Sequence, residues 1–158
     1  TTAVDTNVLL AILYDGEYGA ESEALLRRAY REGAVVTTPI VYAELAADGH
    51  FDDEAALDRF LDDLSIRVVD PSREALYAAG EQFRAYTDRR PDGLQCPACG
   101  AKRTVACEEC GEALAPRQHV AADFLIGGHA AVDADALLSF DTGFYATYFP
   151  SLLTYPDQ

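Results

Sequence analysis

Hydrophobic positions along the chain alternate between short apolar runs and stretches with apolar residues at helical spacing. The short runs predict strands at residues 2–5, 34–37, 66–69, 136–140 and 152–155. The helical stretches predict helices at residues 7–14, 17–32, from 39 onward, 52/53–64, 71/72 to about 90, 118–132 and just after 141. Because strands separated by helices are typical of parallel sheets, the pattern predicts a three-layer α/β/α fold with a mostly parallel central sheet.

One segment breaks this alternation. Residues 91–116 lack periodicity and contain all four cysteines of the chain. The 158 residues fit one domain. We therefore expect a single domain over residues 1–158, with an insertion at 91–116 inside it.

Composition restricts the class of protein. Hydrophobic residues make up 49% of the chain, enough for a core, and no segment has the length and apolarity of a membrane span or a signal peptide. We expect a cytoplasmic protein without a membrane partner. The formal net charge is −15, with a single lysine among the 12 basic residues. Acid-rich, lysine-poor surfaces resemble those of halophilic proteins, in which salt screens the repulsion between charges. A polyanionic partner would need a local basic patch or bound cations.

Four carboxylates occupy unusual positions. Asp5 and Asp141 follow predicted strands, and Glu44 and Asp123 lie in apolar helices. Taken singly, Asp5 can be a helix N-cap, and Glu44 or Asp123 can lie on a solvated helix face. Taken together, with few bases near them, they favour a shared divalent cation, since acids are seldom buried unpaired. Mg²⁺ or Mn²⁺ prefers such oxygen ligands and commonly bridges to phosphate.

The segments that carry these acids resemble the four acidic motifs of PIN-domain ribonucleases, above all the compact VapC-type toxins. They are DTNVLL at 5–10, YAEL at 42–45, ADFLI at 122–126 and SFDTGF at 139–144. The resemblance implies a three-layer nuclease fold that cleaves RNA with Mg²⁺ or Mn²⁺. It assigns the catalytic and metal-binding roles to Asp5, Glu44, Asp123 and Asp141, with Asn7 and Ser139 as supporting polar residues.

The same resemblance implies a homodimer that is inhibited by an antitoxin protein. Two departures accompany it: Gly143 stands where many relatives carry a further acid, which weakens the case for a second metal ion. Gly127 and Gly128 stand where small alanine-like residues are commoner, which indicates close packing or a flexible joint. Two alternatives stay open, namely a PIN/zinc-ribbon endonuclease that processes ribosomal RNA, and a PIN-like scaffold that binds RNA or protein without cutting.

The insertion has the spacing of a zinc site. Cys96, Cys99, Cys107 and Cys110 form C-x2-C-x7-C-x2-C, and a glycine follows each pair. Two such pairs predict a closed tetrahedral site of four thiolates with a structural role for Zn²⁺. Disulfides are rare in a reducing cytosol, and a thioredoxin-like redox motif would need only one pair.

The insertion is also the least acidic part of the chain. Residues 89–117 carry a formal +1, which leaves −16 for the remainder. We therefore consider Lys102, Arg103 and Arg117 as RNA-binding residues. The alternatives are a zinc-stapled knob with balanced surface charge or a surface that docks a protein partner. Arg117 can equally pair with one of the acids.

Several other polar and aromatic residues fit ordinary structural roles better than ligand binding. His119 and His129 fit as helix residues, because a carboxylate site needs no imidazole. Asp133 and Asp135 are expected in a solvated turn. Three aromatic residues near the end of the chain are expected in the core or on a dimer face: Tyr145, Tyr148 and Phe149.

Overall fold

The fold is built around a five-stranded parallel sheet. A computed structural model describes residues 1–89, 94–95, 101–114 and 120–156. The sheet strands are β1 (Thr2–Val4), β2 (Val35–Thr37), β3 (Arg67–Val68), β6 (Ala136–Leu138) and β7 (Thr154–Tyr155). Every pairing between neighbouring strands of this sheet is parallel. The predicted α/β class and parallel sheet are therefore confirmed.

Seven helices are present in the described residues. They are α1 (Thr6–Leu13), α2 (Gly19–Glu32), α3 (Pro39–Asp48), α4 (Glu54–Asp63), α5 (Arg73–Arg89), α6 (Ala122–Asp133) and α7 (Thr142–Tyr148). Local capping explains several starts: Thr38 accepts a hydrogen bond from Val41 N ahead of a proline at N1, and Asp53 accepts one from Ala56 N. No helix in the described ranges is long and apolar enough to cross a membrane.

The order of the strands indicates where the sheet can bind a ligand. The order is β3-β2-β1-β6-β7, so the chain builds outward from β1 on one side and then returns to build on the other. Open α/β sheets bind ligands outside the carboxyl ends of the strands at such a reversal. Here the reversal lies between β1 and β6, which are paired with Val4 opposite Leu138. The residues that follow those two strands, Asp5 and Ser139, therefore lie side by side.

Burial shows that the sheet is covered on both faces. All three residues of β1, β2 and β6 are buried, and a strand buried along its whole length has neighbours above and below. The core joins these strands to apolar positions of the helices, among them Val8, Leu45, Leu57 and Ile126.

The predicted boundaries of two helices are wrong. Helix α2 begins at Gly19 rather than at residue 17, because the chain turns through Tyr18 first. Helix α6 begins at Ala122 rather than at residue 118, since Val120 and Ala121 are not helical and Ala121 is extended. Residues 118–119 lie outside the described residues. The later start puts Asp123 in the first turn of α6, where the helix dipole stabilises a carboxylate.

The C-terminal end of α6 also differs from expectation. Asp133 is the last residue of the helix rather than part of a solvated turn. Its Oδ2 accepts hydrogen bonds from Ser72 N at 2.8 Å and from His129 Nδ1 at 3.1 Å. His129 is only 2% exposed and bonds Asp133 within α6, whereas the exposed bond from Ser72 N ties the end of α6 to the start of α5.

The segment predicted as an insertion has two short antiparallel pairings among its described residues. Strands β4 (Leu94–Gln95) and β5 (Lys102–Arg103) pair with each other and flank the first cysteine pair in sequence. Ala106 bridges Ala113 around the second cysteine pair. Cys96, Cys99, Arg117 and His119 lie outside the described residues.

Candidate active site

Asp5 is the best-connected side chain of the site. It follows β1, caps α1 and is only 4% exposed. Its Oδ1 accepts a hydrogen bond from Thr6 N at 2.7 Å. Its Oδ2 accepts hydrogen bonds from Ser139 Oγ at 2.6 Å, Asn7 Nδ2 at 2.9 Å and the Tyr145 hydroxyl at 3.3 Å. The N-cap interpretation is correct for Asp5, yet capping uses only one of its two oxygens.

Asn7 and Ser139 join the two halves of the site. Asn7 Nδ2 also donates to Ser139 Oγ at 3.1 Å, and Asn7 Oδ1 accepts a hydrogen bond from Phe140 N at 3.1 Å. Ser139 Oγ in turn accepts a hydrogen bond from Asp141 N at 3.1 Å. This network fixes the chain after β6 against the start of α1, and so sets Asp141 beside Asp5.

The four predicted acids line one pocket. Asp5, Glu44, Asp123 and Asp141 all border an open cavity of about 450 Å³ at the carboxyl ends of β1 and β6. Glu44 projects from α3 and accepts a hydrogen bond from the Thr6 hydroxyl. Asp141 caps α7 by accepting a hydrogen bond from Phe144 N. Side chains from four separate parts of the chain therefore meet at one opening.

The pKa values of the acids reflect this crowding. Burial raises the pKa of Asp5 above its usual value, and the charge of Glu44 adds to the increase; hydrogen bonds from Ser139, Thr6 and Tyr145 only partly oppose it. Burial also raises the pKa of Asp123, and the charges of Asp5 and Asp141 raise it further. Two carboxylates thus resist ionisation because they face low polarity and like charge.

Three contributors to the site were missed by the sequence analysis. Asp48 lines the pocket as a fifth acid. It stands four residues after Glu44 on α3, so helical spacing could have placed both on one face. Thr6 and Tyr145 act through hydroxyls that reach Glu44 and Asp5, and no local pattern indicates those contacts. Tyr145 is fully buried, as the expectation of a core position required.

The donor set fits a hard divalent cation. The described residues that line the pocket include five carboxylates and neither lysine, arginine nor histidine. Across the described ranges, no three His, Cys, Asp or Glu side chains already stand together as a ligand group. The acids line the walls of an open cavity instead, and their unbalanced charge is of the kind that a bound Mg²⁺ or Mn²⁺ neutralises.

The second cysteine pair forms a tight turn. Gly111 N donates to Cys107 O at 2.8 Å, and Cys107 N donates to Glu112 O at 2.7 Å. Gly111 has φ +78°, the left-handed conformation that favours glycine. The backbone amides of Cys110 and Glu109 point at the Cys107 sulfur and lower the pKa of its thiol. Both described thiols, Cys107 and Cys110, are free.

Comparison with known proteins gives a family and a fold. A family model described as the PIN domain matches residues 2–150. Among solved structures, the chain is similar to one in the crystal structure of VapBC2 from Rickettsia felis bound to a DNA fragment from their promoter. The two chains share 15% sequence identity with a TM-score of 0.61, over 97% of this chain and 96% of the other. No curated protein matches the chain.

Proposed function

Because the chain belongs to the PIN-domain family, whose members are generally nucleases, we propose that it is a metal-dependent endoribonuclease of the toxin type. One observation carries this proposal: five acids, one of them buried, line a single pocket at the reversal of a parallel sheet. Cleavage of a phosphodiester needs a cation between such a pocket and its anionic substrate. The proposal includes action in the cytoplasm, a homodimer, and inhibition by an antitoxin protein.

The proposal assigns the cation to four carboxylates. Asp5, Glu44, Asp123 and Asp141 would hold Mg²⁺ or Mn²⁺, which supplies charge neutralisation at phosphorus and activation of a water when bound. Ser139 and Asn7 hold Oδ2 of Asp5 in place, so that this carboxylate does not have to reorganise during the reaction. Thr6 does the same for Glu44.

The charge at the opening of the pocket affects how RNA can bind there. The pocket is open to solvent, and Asp141 and Asp123 stand at its exposed surface. Without a bound cation these charges repel a phosphate backbone. Both the binding of RNA and its cleavage should therefore depend on the divalent ion.

Substitution of the buried acid tests the function. Asp5→Asn removes one negative charge from the pocket while keeping the size of the side chain, so we expect cleavage of single-stranded RNA with Mn²⁺ to fall roughly 100- to 1000-fold. The measurement is the initial rate with a labelled RNA at saturating protein. Asp62→Asn, an exposed acid on α4, is the matched control and should cut like the unsubstituted protein. Equal rates for Asp5→Asn and the unsubstituted protein would reject the proposal, because the cleavage would then not come from this site. Binding of RNA without cleavage by the unsubstituted protein would favour a scaffold.

We further propose that the insertion is held by Zn²⁺ on Cys96, Cys99, Cys107 and Cys110. The amides directed at Cys107 and the left-handed Gly111 support this, since both favour a thiolate in a tight turn. Zinc content measured by elemental analysis should be about one ion per chain and should be lost in Cys107→Ser/Cys110→Ser. Cleavage activity per folded chain should survive, because a closed four-thiolate site is structural. A full zinc content in the double variant would contradict this assignment.

We also propose that the insertion contacts the RNA. Lys102 and Arg103 form β5, which follows the first cysteine pair in the sequence, and Arg103 is exposed. A basic pair on an otherwise acidic chain suits contacts with the RNA backbone. Arg117 belongs to the same proposal from its position in the sequence.

A further inference from the structure

The pocket-lining face of α1 continues into an exposed aromatic side chain. Thr6, Asn7 and Leu10 border the acidic cavity. Tyr14 stands four residues after Leu10, one turn further along the same face. It ends α1 and is 54% exposed, although its neighbours on this face are half-buried.

Contacts with α3 hold the Tyr14 ring in place. Its hydroxyl donates a hydrogen bond to Oδ2 of Asp48, which itself lines the pocket. The ring also meets His50 edge to face, with ring centres 5.5 Å apart and an angle of 90°. A ring held both by its hydroxyl and by a neighbouring ring turns less freely than an unpartnered side chain.

A second exposed aromatic side chain stands beside the other wall. Phe140 directly precedes Asp141, and its backbone N–H is held by Asn7. Tyr18 lies against Phe140 with ring centres 4.8 Å apart and remains 49% exposed. Tyr14 is thus bonded to one pocket-lining acid and Tyr18 packs on the residue before another, and we call Tyr14 and Tyr18 the aromatic rim.

The negative charge of the pocket explains why exposed aromatic rings near it would help RNA to bind. No basic side chain lines the pocket within the described residues, so phosphates next to the scissile bond have no cationic partner there. Stacking of nucleobases on aromatic rings needs no such partner and is not weakened by salt. On a chain of net charge −15, contacts with bases add affinity that does not depend on basic side chains.

We propose that Tyr14 and Tyr18 are stacking platforms for the unpaired nucleobases that flank the scissile phosphodiester bond. This inference rests on the proposed ribonuclease function and assigns the chain's own contacts to the bases that flank the cut. A base held in a duplex already stacks on its neighbours and cannot lie on either ring. Annealing a complementary strand across the cleavage site should therefore abolish cleavage.

Paired substitutions separate the ring from the hydroxyl. Tyr14→Leu and Tyr18→Leu remove the rings and should raise KM for single-stranded RNA roughly 5- to 100-fold each, with kcat little changed. Tyr18→Phe keeps its ring and should retain the affinity that Tyr18→Leu loses. Tyr14→Phe keeps its ring but loses the hydrogen bond to Asp48 that holds it, so its KM should lie between those of the unsubstituted protein and Tyr14→Leu. Tyr77→Leu, a 70% exposed tyrosine on α5, is the matched control. Circular dichroism establishes that each variant is folded.

Altered RNA gives a second readout. Removing the base next to the mapped cut should raise KM for the unsubstituted protein but not for the leucine variant whose ring it contacted. A 2-aminopurine at that position should lose its fluorescence on binding to the unsubstituted protein and keep it with that variant. The KM ratio between leucine variant and unsubstituted protein should stay constant when salt increases, because stacking does not depend on charge.

The outcomes distinguish this inference from the function it rests on. Cleavage that depends on Asp5, with unchanged KM in both leucine variants, overturns the stacking role alone. The aromatic rim would then be a contact surface for a protein partner. Loss of affinity in the phenylalanine variants as large as in the leucine variants also overturns it, because the hydroxyls would then matter and not the rings. Absence of Asp5-dependent RNA cleavage overturns both proposals.

Discussion

Asp5 illustrates how one side chain can be both well hydrogen-bonded and reluctant to ionise. Its two oxygens accept four hydrogen bonds, which favour the charged form. Burial and the charge of Glu44 nevertheless outweigh them and leave the pKa of Asp5 raised. Small changes in this balance should therefore change the pH at which the site becomes fully charged.

Ser139→Ala tests this balance. The Ser139 hydroxyl lowers the pKa of Asp5, so its removal should raise that pKa further and move the acidic limb of the pH–rate profile to higher pH. The rate at neutral pH should fall roughly 10- to 100-fold, since Asp141 N also loses its acceptor. The measurement is kcat/KM for RNA across pH.

A second buried serine is the matched control for that substitution. Ser22 is fully buried, and its hydroxyl has no hydrogen-bond partner among the described residues. Ser22→Ala should leave the pH–rate profile unchanged and keep or slightly raise stability, because no bond is lost. A profile for Ser139→Ala that does not shift would contradict the role given to its hydroxyl.

At the scale of elements, close packing around α6 explains why two adjacent glycines stand in this helix. A Cβ on Gly128 would lie 2.5 Å from Ala75 O and 2.8 Å from Ala79 Cβ, both on α5. A Cβ on Gly127 would lie 2.3 Å from the ring of Phe149, which is buried. Of the two explanations left open by the sequence, close packing therefore applies. Gly128 lets α6 approach α5, and Gly127 leaves room for the Phe149 ring.

Gly128→Ala should destabilise the protein although alanine is the better helix former. Alanine gains about 1 kcal/mol of helix propensity, but the clash is with backbone of α5 that cannot move locally. We expect a net loss of about 1–3 kcal/mol in the free energy of unfolding, measured by chemical denaturation.

Gly80→Ala is the control for that prediction. Gly80 lies inside α5, and a Cβ there meets no atom within 4 Å. The same change of residue should therefore stabilise the protein by about 1 kcal/mol. If both substitutions stabilise, the contact between the two helices is looser than described here.

At the scale of the whole molecule, the acidic pocket is one part of a strongly negative chain. The net charge of −15 opposes compaction at low salt, and the pocket concentrates five acids of that total at one opening. The raised pKa values of Asp5 and Asp123 give the pocket its own dependence on pH. Without metal, these two groups favour the folded state most at pH below their ordinary values. That contribution is lost as pH rises through their raised pKa values.

A divalent ion should reverse this dependence. Mn²⁺ binds ionised carboxylates of the folded state, so the increase in Tm on adding Mn²⁺ should be large at pH 7.5 and should shrink as pH falls through the raised pKa of Asp5 and Asp123. Thermal unfolding followed by circular dichroism at several pH values measures it. In Asp123→Asn the increase should be smaller at every pH. An equal increase at pH 5 and pH 7.5 would show that Mn²⁺ binds elsewhere.

Much of the site could be read from the sequence because its signals are local. An acid at or shortly after the end of a buried strand, as at Asp5 and Asp141, is visible in a few residues, and parallel strands bring their carboxyl ends to the same edge. The class of fold followed from the alternation of apolar runs and helical spacing. Helix starts were less well determined, as α2 and α6 show, because extended backbone at Ala121 has no distinctive local pattern.

The sequence by itself determined the kinds of element and the identity of the four acids, since periodicity and isolated acids in apolar segments are properties of neighbouring residues. Only the tertiary structure decided that Asp48 joins them and that Thr6 and Tyr145 hold two of them. It also decided that the paired glycines serve close packing and that the exposed Tyr14 and Tyr18 contact Asp48 and Phe140. These features depend on contacts between residues up to 140 positions apart, and such contacts exist only once the sheet has been assembled.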